Sequence, residues 1–471
     1  MVFKNKNINI KLIMTSITEQ QKSTAEELVT ESVDTKQTTI TGNTFTRNKV
    51  ESLGNRVRIT DTDEESGLEL YCYVKCGPED SSLLRQCRGV VFHEQKIVMR
   101  AFPYTIEYNH HNDEEIERDI SPIFENCTFY DAHEGTLIRM FNFEGKWYTS
   151  THRKLNAYKS KWASKESFGD VFARSLENEF NMNEKFRNSL PEEGESTLAR
   201  FQSTLDVEKQ YMFLVLNTED NRIVCQAPEE PRLYHVGTFV EGNLVLTEDI
   251  NINYPRKHNF ANMGEAHDYI NNIDIRDLQG LIIFAPDNKQ YKILHKDYQH
   301  LFKARGNEPS IKFRYLQVRM NQEYVDMLLH LYPHMKETFD NYENMLYAIA
   351  KMIHASYVTR HIRNKWSQLP TEEYKVDKAC HNWHEEDHKN NRVRLEKVVE
   401  VLNQQSATAL NKMIRRYNEE NKKKNEIQNT IQTRNRSNSF NLKSPLIKNQ
   451  PVPSPVIVPA DTLEQMESVN I

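Results

Sequence analysis

The chain has 471 residues, 38% of them hydrophobic and 27% charged, with a formal net charge of −6. That length gives room for two or three domains, and the near-balanced charge excludes a polycation, so any nucleic-acid contact has to be a local patch. No apolar run approaches the roughly 20 residues that cross a bilayer, which argues against a membrane partner. No signal-type segment is visible, and Cys72, Cys76, Cys87, Cys127, Cys225 and Cys380 are too scattered for a disulfide framework. An intracellular, cytoplasmic protein with reduced thiols is therefore expected. Cys72 and Cys76 form a CxxxC pair without a second pair, too little for a zinc site.

In chain order, residues 1–45 are rich in Thr, Ser, Gln and Lys, the composition of a disordered N-terminal segment. Short β-rich runs follow at 57–59, 68–74, 89–92, 97–102, 128–131, 136–141 and 146–150, separated by turn residues such as Asn142 and Glu144-Gly145. Helical spacing covers 168–186, and strands return at 211–216, 223–226, 235–240, 281–284 and 291–294. The expected fold class is α+β, with a largely antiparallel sheet domain over 46–305. Beyond it, apolar spacing turns helical at 323–332, 341–359 and 392–424, which predicts a small all-helical domain over 306–432. The stretch 433–471 is Ser/Pro/Asn-rich and reads as a disordered tail with polyproline character, a place for protein partners. Within it, Arg434, Arg436, Ser437 and Ser439 fit a basophilic kinase site, although a plain solvated tail explains them as well.

Four elements stand in a set order. Arg88-Gly89-Val90-Val91-Phe92 is followed by Arg100-Ala101-Phe102-Pro103. Tyr130-Asp131-Ala132-His133-Glu134-Gly135-Thr136 is followed by Ser150-Thr151-His152-Arg153-Lys154. Then come Phe213-Leu214-Val215-Leu216 with Asp220-Asn221-Arg222-Ile223-Val224, and Gln279-Gly280-Leu281-Ile282-Ile283 with Tyr291-Lys292-Ile293-Leu294. This order resembles the bacteriophage-type RNA ligases of the covalent nucleotidyltransferase superfamily, over roughly 50–300 of the chain. The helical region behind it matches the position of their accessory domain. The stretch 150–162 also resembles uncharacterised RNA ligase-like proteins of large DNA viruses.

The resemblance implies a ligase-type nucleotidyltransferase fold. In that family a desolvated lysine attacks the nucleotide α-phosphate and holds AMP as a phosphoramidate. Two later carboxylates bind ribose and metal, and two lysines of a late strand neutralise phosphate. Carried over by position, the nucleophile falls on Ala132, and Glu134 with Gly135 follows as the acid–glycine pair. The two carboxylate positions fall on Leu214 and Gln279, and the lysine pair on Lys292 and Leu294. Arg88 is retained. The framework thus persists while the charged groups go, which points to a catalytically degenerate protein binding RNA or a protein partner through the former ligase face. The candidate pocket comprises Arg88, His133, Glu134, Gly135, His152, Arg153, Lys154 and Lys292, with no metal. Two alternatives stand beside it. One is an active ATP- and Mg²⁺-using ligase with His133 or Lys154 as relocated nucleophile; the other is a structural or virion interaction protein.

Two further features compete. His384-Glu385-Glu386-Asp387-His388 matches the HExxH string, but its middle residues are acidic and its neighbours polar, unlike a buried zinc helix. The stretch 292–319 mixes Lys296, Lys303, Arg305, Lys312, Arg314 and Arg319 with Tyr298, Phe302, Phe313 and Tyr315. It suits either an RNA backbone with stacked bases or a domain junction whose aromatics are core.

Overall fold

The computed structural model describes residues 45–440 except 101, 110 and 111. The expectations for 1–44 and 441–471 lie outside the described residues. Three sheets carry the first part. The first is an antiparallel meander of β1 (Val57–Asp63), β2 (Leu68–Tyr73), β3 (Arg88–His93) and β4 (Lys96–Met99). The remaining strands are β5 (Ile106–Tyr108), β6 (Thr128–Ala132), β7 (Gly135–Phe143), β8 (Lys146–Ser150), β9 (Gln210–Leu216), β10 (Leu233–Val240), β11 (Asn243–Val245), β12 (Lys257–His258), β13 (Gly280–Phe284) and β14 (Gln290–Leu294). The second sheet has the order β11-β10-β9-β7-β8, the third β12-β6-β13-β14-β5. Pairing is antiparallel throughout except between β14 and β5. The chain is thus α+β, as expected.

The successive strands β6 and β7 belong to different sheets, and only His133 and Glu134 separate them. The chain therefore crosses between sheets at the motif singled out in the sequence. One core, with Leu70, Val91, Tyr130, Phe141, Met212 and Phe284, draws on all three sheets. Helices Phe168–Met182, Glu184–Ser189 and Thr197–Thr204 cover the second sheet through Phe172, Leu176, Phe186 and Phe201. The first of them starts cleanly, because Ser167 and Asp170 form a reciprocal capping box. Helices Asp113–Asp119 and Met263–Asn272 cover the third sheet.

The helical part holds a separate core, with Leu328, Phe339, Ile349, Val376, Val398 and Met413. Two expectations need correction. Residues 223–226 form no strand, because the Ile223 and Val224 amides are taken by the Glu134 carboxylate rather than a β-ladder. The helical stretch 392–424 is two helices, Leu395–Asn403 and Ala407–Phe440. Phe45, at the start of the described residues, is buried against Phe92.

The retained Arg-Gly element has a packing cause. Arg139 of β7 is fully buried and donates to the carbonyls of Gly89 and Thr151, fastening the first sheet to the segment after β8. Gly89 has φ +82, and a Cβ there would lie 2.7 Å from both the His152 Cα and its carbonyl oxygen. Gly145 has the same φ of +82 but open space around it. Gly145→Ala should therefore cost only the left-handed backbone term, about 1 kcal/mol. Gly89→Ala adds the clash and should cost roughly 3 kcal/mol or more. Urea unfolding of the two variants measures the difference, and equal midpoints would remove the packing argument.

Candidate functional site

A cavity of about 180 Å³ opens where β6, β9, β13 and β14 meet. Ala132, Leu214, Gln279 and Lys292, four of the five positions carried over from the ligase pattern as nucleophile, carboxylates and lysines, line it. Arg88, His133 and Gly135 line it too. The register explains the convergence: Ala132 of β6 faces Gly280 of β13, which faces Leu294 of β14. The walls are apolar and aromatic, with Phe102, Tyr130, Leu137, Tyr254 and Phe284. The polar groups gather toward β14. Lys292 Nζ lies 3.2 Å from Glu107 Oε1 and 3.2 Å from Gln279 Oε1. Arg88 donates weakly to the Pro103 carbonyl and Thr105 Oγ1, both at 3.4 Å. Thr105 donates to Gln290 Oε1 at 3.1 Å, and Gln290 Nε2 is buried without a partner among the described residues.

Glu134 turns the other way. Its carboxylate accepts from the Val224 amide at 2.8 Å, the Ile223 amide at 3.2 Å and the Tyr298 hydroxyl at 2.9 Å. Burial raises its pKa, and these donated bonds oppose the rise. The residue in the acidic motif position is thus a bracket. Gly135 is required by strand packing, since a Cβ would lie 2.5 Å from the Val215 carbonyl oxygen. His133 stacks on Tyr234 with centroids 4.9 Å apart, and burial lowers its pKa.

Asp131, Tyr254 and Gln290 were not anticipated from sequence. Asp131 is the one carboxylate among the cavity-lining residues, and its Oδ1 already meets His258 Nε2 at 2.8 Å and the Tyr269 hydroxyl at 2.7 Å. With an engaged Asp131 and the uncharged Leu214 and Gln279 beside it, this donor set does not fit a magnesium-bound triphosphate. Asp131 sits in the motif itself. Tyr254 and Gln290 carry no sequence signal: Tyr254 reaches the cavity from the loop before β12 by stacking on Tyr130, and Gln290 through the pairing of β14.

The remaining positions lie elsewhere. Leu294 packs with Val224, Tyr298 and Leu331 beneath the helix Lys296–Arg305. Lys154 Nζ pairs with Asp61 at 3.0 Å on the first sheet and does not reach the cavity. Arg153 is exposed. His152 sits mostly buried against Gly89, and burial, then Arg88, Arg139 and Arg153, lower its pKa to about 3.

The basic-aromatic stretch is a junction. Tyr298 is held by Glu134, Tyr315 stacks on Phe339 at 4.1 Å, and buried Arg305 donates to the Tyr332 hydroxyl at 2.8 Å. Its aromatics are therefore core rather than base platforms. In the HExxH string the helix Thr371–Glu386 ends before His388, and His384 Nδ1 lies 2.6 Å from the Asn391 carbonyl.

No family model matches the chain. It is 30% identical over 340 residues to the "Immediate-early protein ICP-46 homolog" of Invertebrate iridescent virus 6, covering 69% of this chain and 72% of that protein. It is 22% identical over 281 residues to a "Putative bifunctional polynucleotide kinase/RNA ligase" of Autographa californica nuclear polyhedrosis virus, covering 56% of this chain and 37% of that protein. Among solved structures, an archaeal ATP-dependent RNA ligase overlaps 64% of this chain and 78% of its own at 11% identity, with a TM-score of 0.36, too loose an overlap to argue from.

Two variants test the bracket. Glu134→Ala leaves two amides and a hydroxyl without their acceptor and should cost roughly 3 kcal/mol. Tyr298→Phe removes one donor and should cost about 1 kcal/mol; equal losses in chemical denaturation would contradict the assignment. His152 supplies a pH test. Its folded pKa of about 3 lies below the ordinary histidine value of 6.5, so on acidification the unfolded chain takes up the proton first. Its contribution is complete above pH 6.5 and falls by about 1.4 kcal/mol per pH unit below it, down to the folded pKa. His152→Gln should flatten that part of the stability curve, and an unchanged slope between wild type and variant would count against the burial.

Proposed function

We propose that this chain, which belongs to the family of viral ICP-46 immediate-early proteins, is a catalytically degenerate RNA ligase-like protein that binds RNA ends at the β6–β14 cavity. The observation that carries the reading is the cavity's composition. It keeps Arg88 and Lys292 as cations at one end, and it has Ala132 and Leu214 where a nucleophile and a carboxylate would be. A guanidinium and an ammonium at the rim of an aromatic-walled hollow suit a terminal phosphate with an unstacked base. The same hollow offers no lysine at position 132 to form a nucleotide adduct. The unpartnered Gln290 Nε2 supplies one further donor for such a ligand.

One observation favours a second reading. His133 lines the cavity with its pKa lowered by burial, which leaves a neutral imidazole as a possible phosphorus nucleophile. The ATP and Mg²⁺ that the resemblance implies for such an enzyme do not fit the donor set around Asp131, which counts against this reading. Lys154 drops out of that reading through its pairing with Asp61.

Incubation with α-labelled ATP or GTP and Mg²⁺ or Mn²⁺ separates the two. No label should stay on the protein after denaturation. A stable adduct lost in His133→Ala would replace the degenerate reading with the enzymatic one. Binding of a 5′-phosphorylated oligoribonucleotide should weaken roughly tenfold in Lys292→Ala and in Arg88→Ala. It should also weaken with salt. Wild-type affinity in both variants would sink the cavity as the RNA site.

A further inference from the structure

The helical part carries a second surface that the cavity does not explain. The long helix Lys336–Tyr357 ends in a π-helical turn, Val358–Ile362, a rare widening that is frequent at functional sites. Its last residue, Ile362, is 63% exposed, and the chain leaves it through a loop on which Trp366 is 85% exposed. This loop is held in place. The Arg363 amide donates to the Val358 carbonyl at 2.9 Å and the Lys365 amide to the Thr359 carbonyl at 2.9 Å. Ser356 and Ser367 hydroxyls meet at 2.9 Å. Arg360 donates to the Ser367 carbonyl at 3.2 Å while its guanidinium lies 4.9 Å from the ring centre of Tyr374, itself 40% exposed. An exposed ring, Trp366, thus stands on a pinned loop, and a second, Tyr374, stands on the following helix against Arg360, which also holds the loop at Ser367.

The charges around them are one-sided. Glu372 is paired with Lys412 and Arg416, Glu373 is buried on Arg416, and Asp377 is fully buried against His361 and Arg360. The cations Arg363, Lys365, Lys375 and Lys378 are exposed and enter no ion pair among the described residues. The surface therefore presents positive charge with its acids turned inward. Aromatic faces set among cations are what an unpaired, negatively charged polymer with stackable bases fits.

We propose that the Trp366–Tyr374 face binds single-stranded nucleic acid, with bases stacked on the rings and phosphates met by Arg363 and Lys365. The cavity reading concerns strand ends; this face takes the strand away from its end and stands independently of it.

The full chain is titrated with oligouridylate and with oligothymidylate of about 12 nucleotides, within the range of known single-strand sites. Trp366 is the most exposed of the four tryptophans, so stacking should quench tryptophan emission, and Trp366→Ala should abolish that quenching and weaken binding roughly tenfold. Arg363→Glu with Lys365→Glu should lower the slope of log affinity against log salt by about 2. Comparable loss for both oligomers supports a strand-general site, and loss for RNA alone narrows it to RNA. Unaltered affinity and quenching in Trp366→Ala overturn the proposal. So does sedimentation showing that Trp366 instead joins two copies of the chain, or a protein ligand that binds this face while neither oligomer does. Failure of the cavity reading appears separately, as wild-type affinity for a phosphorylated end in Lys292→Ala.

Discussion

A buried carboxylate with three donors organises this molecule. Glu134 lies in the two-residue crossing between the third and second sheets, and it accepts from Ile223, Val224 and Tyr298. Those donors come from the loop after β9 and from the helix that follows β14. Tyr332 continues the link, its one hydroxyl proton shared between the Arg222 and Ile223 carbonyls at 2.7 and 2.8 Å, and Arg305 donates in turn to Tyr332. One side chain thus ties both sheets to the start of the helical part. A buried carboxylate without these bonds would be costly, so the whole junction has to form together.

The crossing also explains where the cavity lies. Because β6 and β7 diverge into two sheets, a wedge opens between them, and its floor is the backbone around Ala132. The wedge is lined from opposite sides by Leu214 and Lys292. Arg139 secures its far wall by holding Gly89 and Thr151 together. The retained glycines serve this geometry. Gly89 lets His152 approach, and Gly135 lets β9 pair closely with β7.

Much of this was legible in the sequence, for reasons that can be stated. Strands long enough to show an alternating or apolar run, such as β3, β7, β9 and β13, were found. β5, β11 and β12 have three, three and two residues, too few to show a period. The helices Lys296–Arg305 and Ile311–Val318 were read as a basic run because their arginines dominate, yet Arg305 and Arg314 spend their donors on backbone carbonyls of the junction. At the site, Ala132, Leu214, Gln279 and Lys292 line one cavity because each lies on or beside a strand whose register is readable in the sequence. Glu134 does not, because alternation has no meaning in a crossing between sheets. Leu294 shares a strand face with Lys292, but the following helix folds over that end of β14.

Position 132 sits in regular strand backbone, paired opposite Gly280, with its carbonyl accepting from the Gln279 amide at 2.8 Å. The backbone there puts no restriction on the side chain beyond excluding proline, and Ala132 borders the cavity. Gly89 and Gly280 have no such freedom, since a Cβ at either would strike backbone. The architecture therefore separates what holds the hollow open from what a catalyst would place in it. Chemistry can be lost from this scaffold, or written back into it, one side chain at a time, while the shape of the hollow is inherited unchanged.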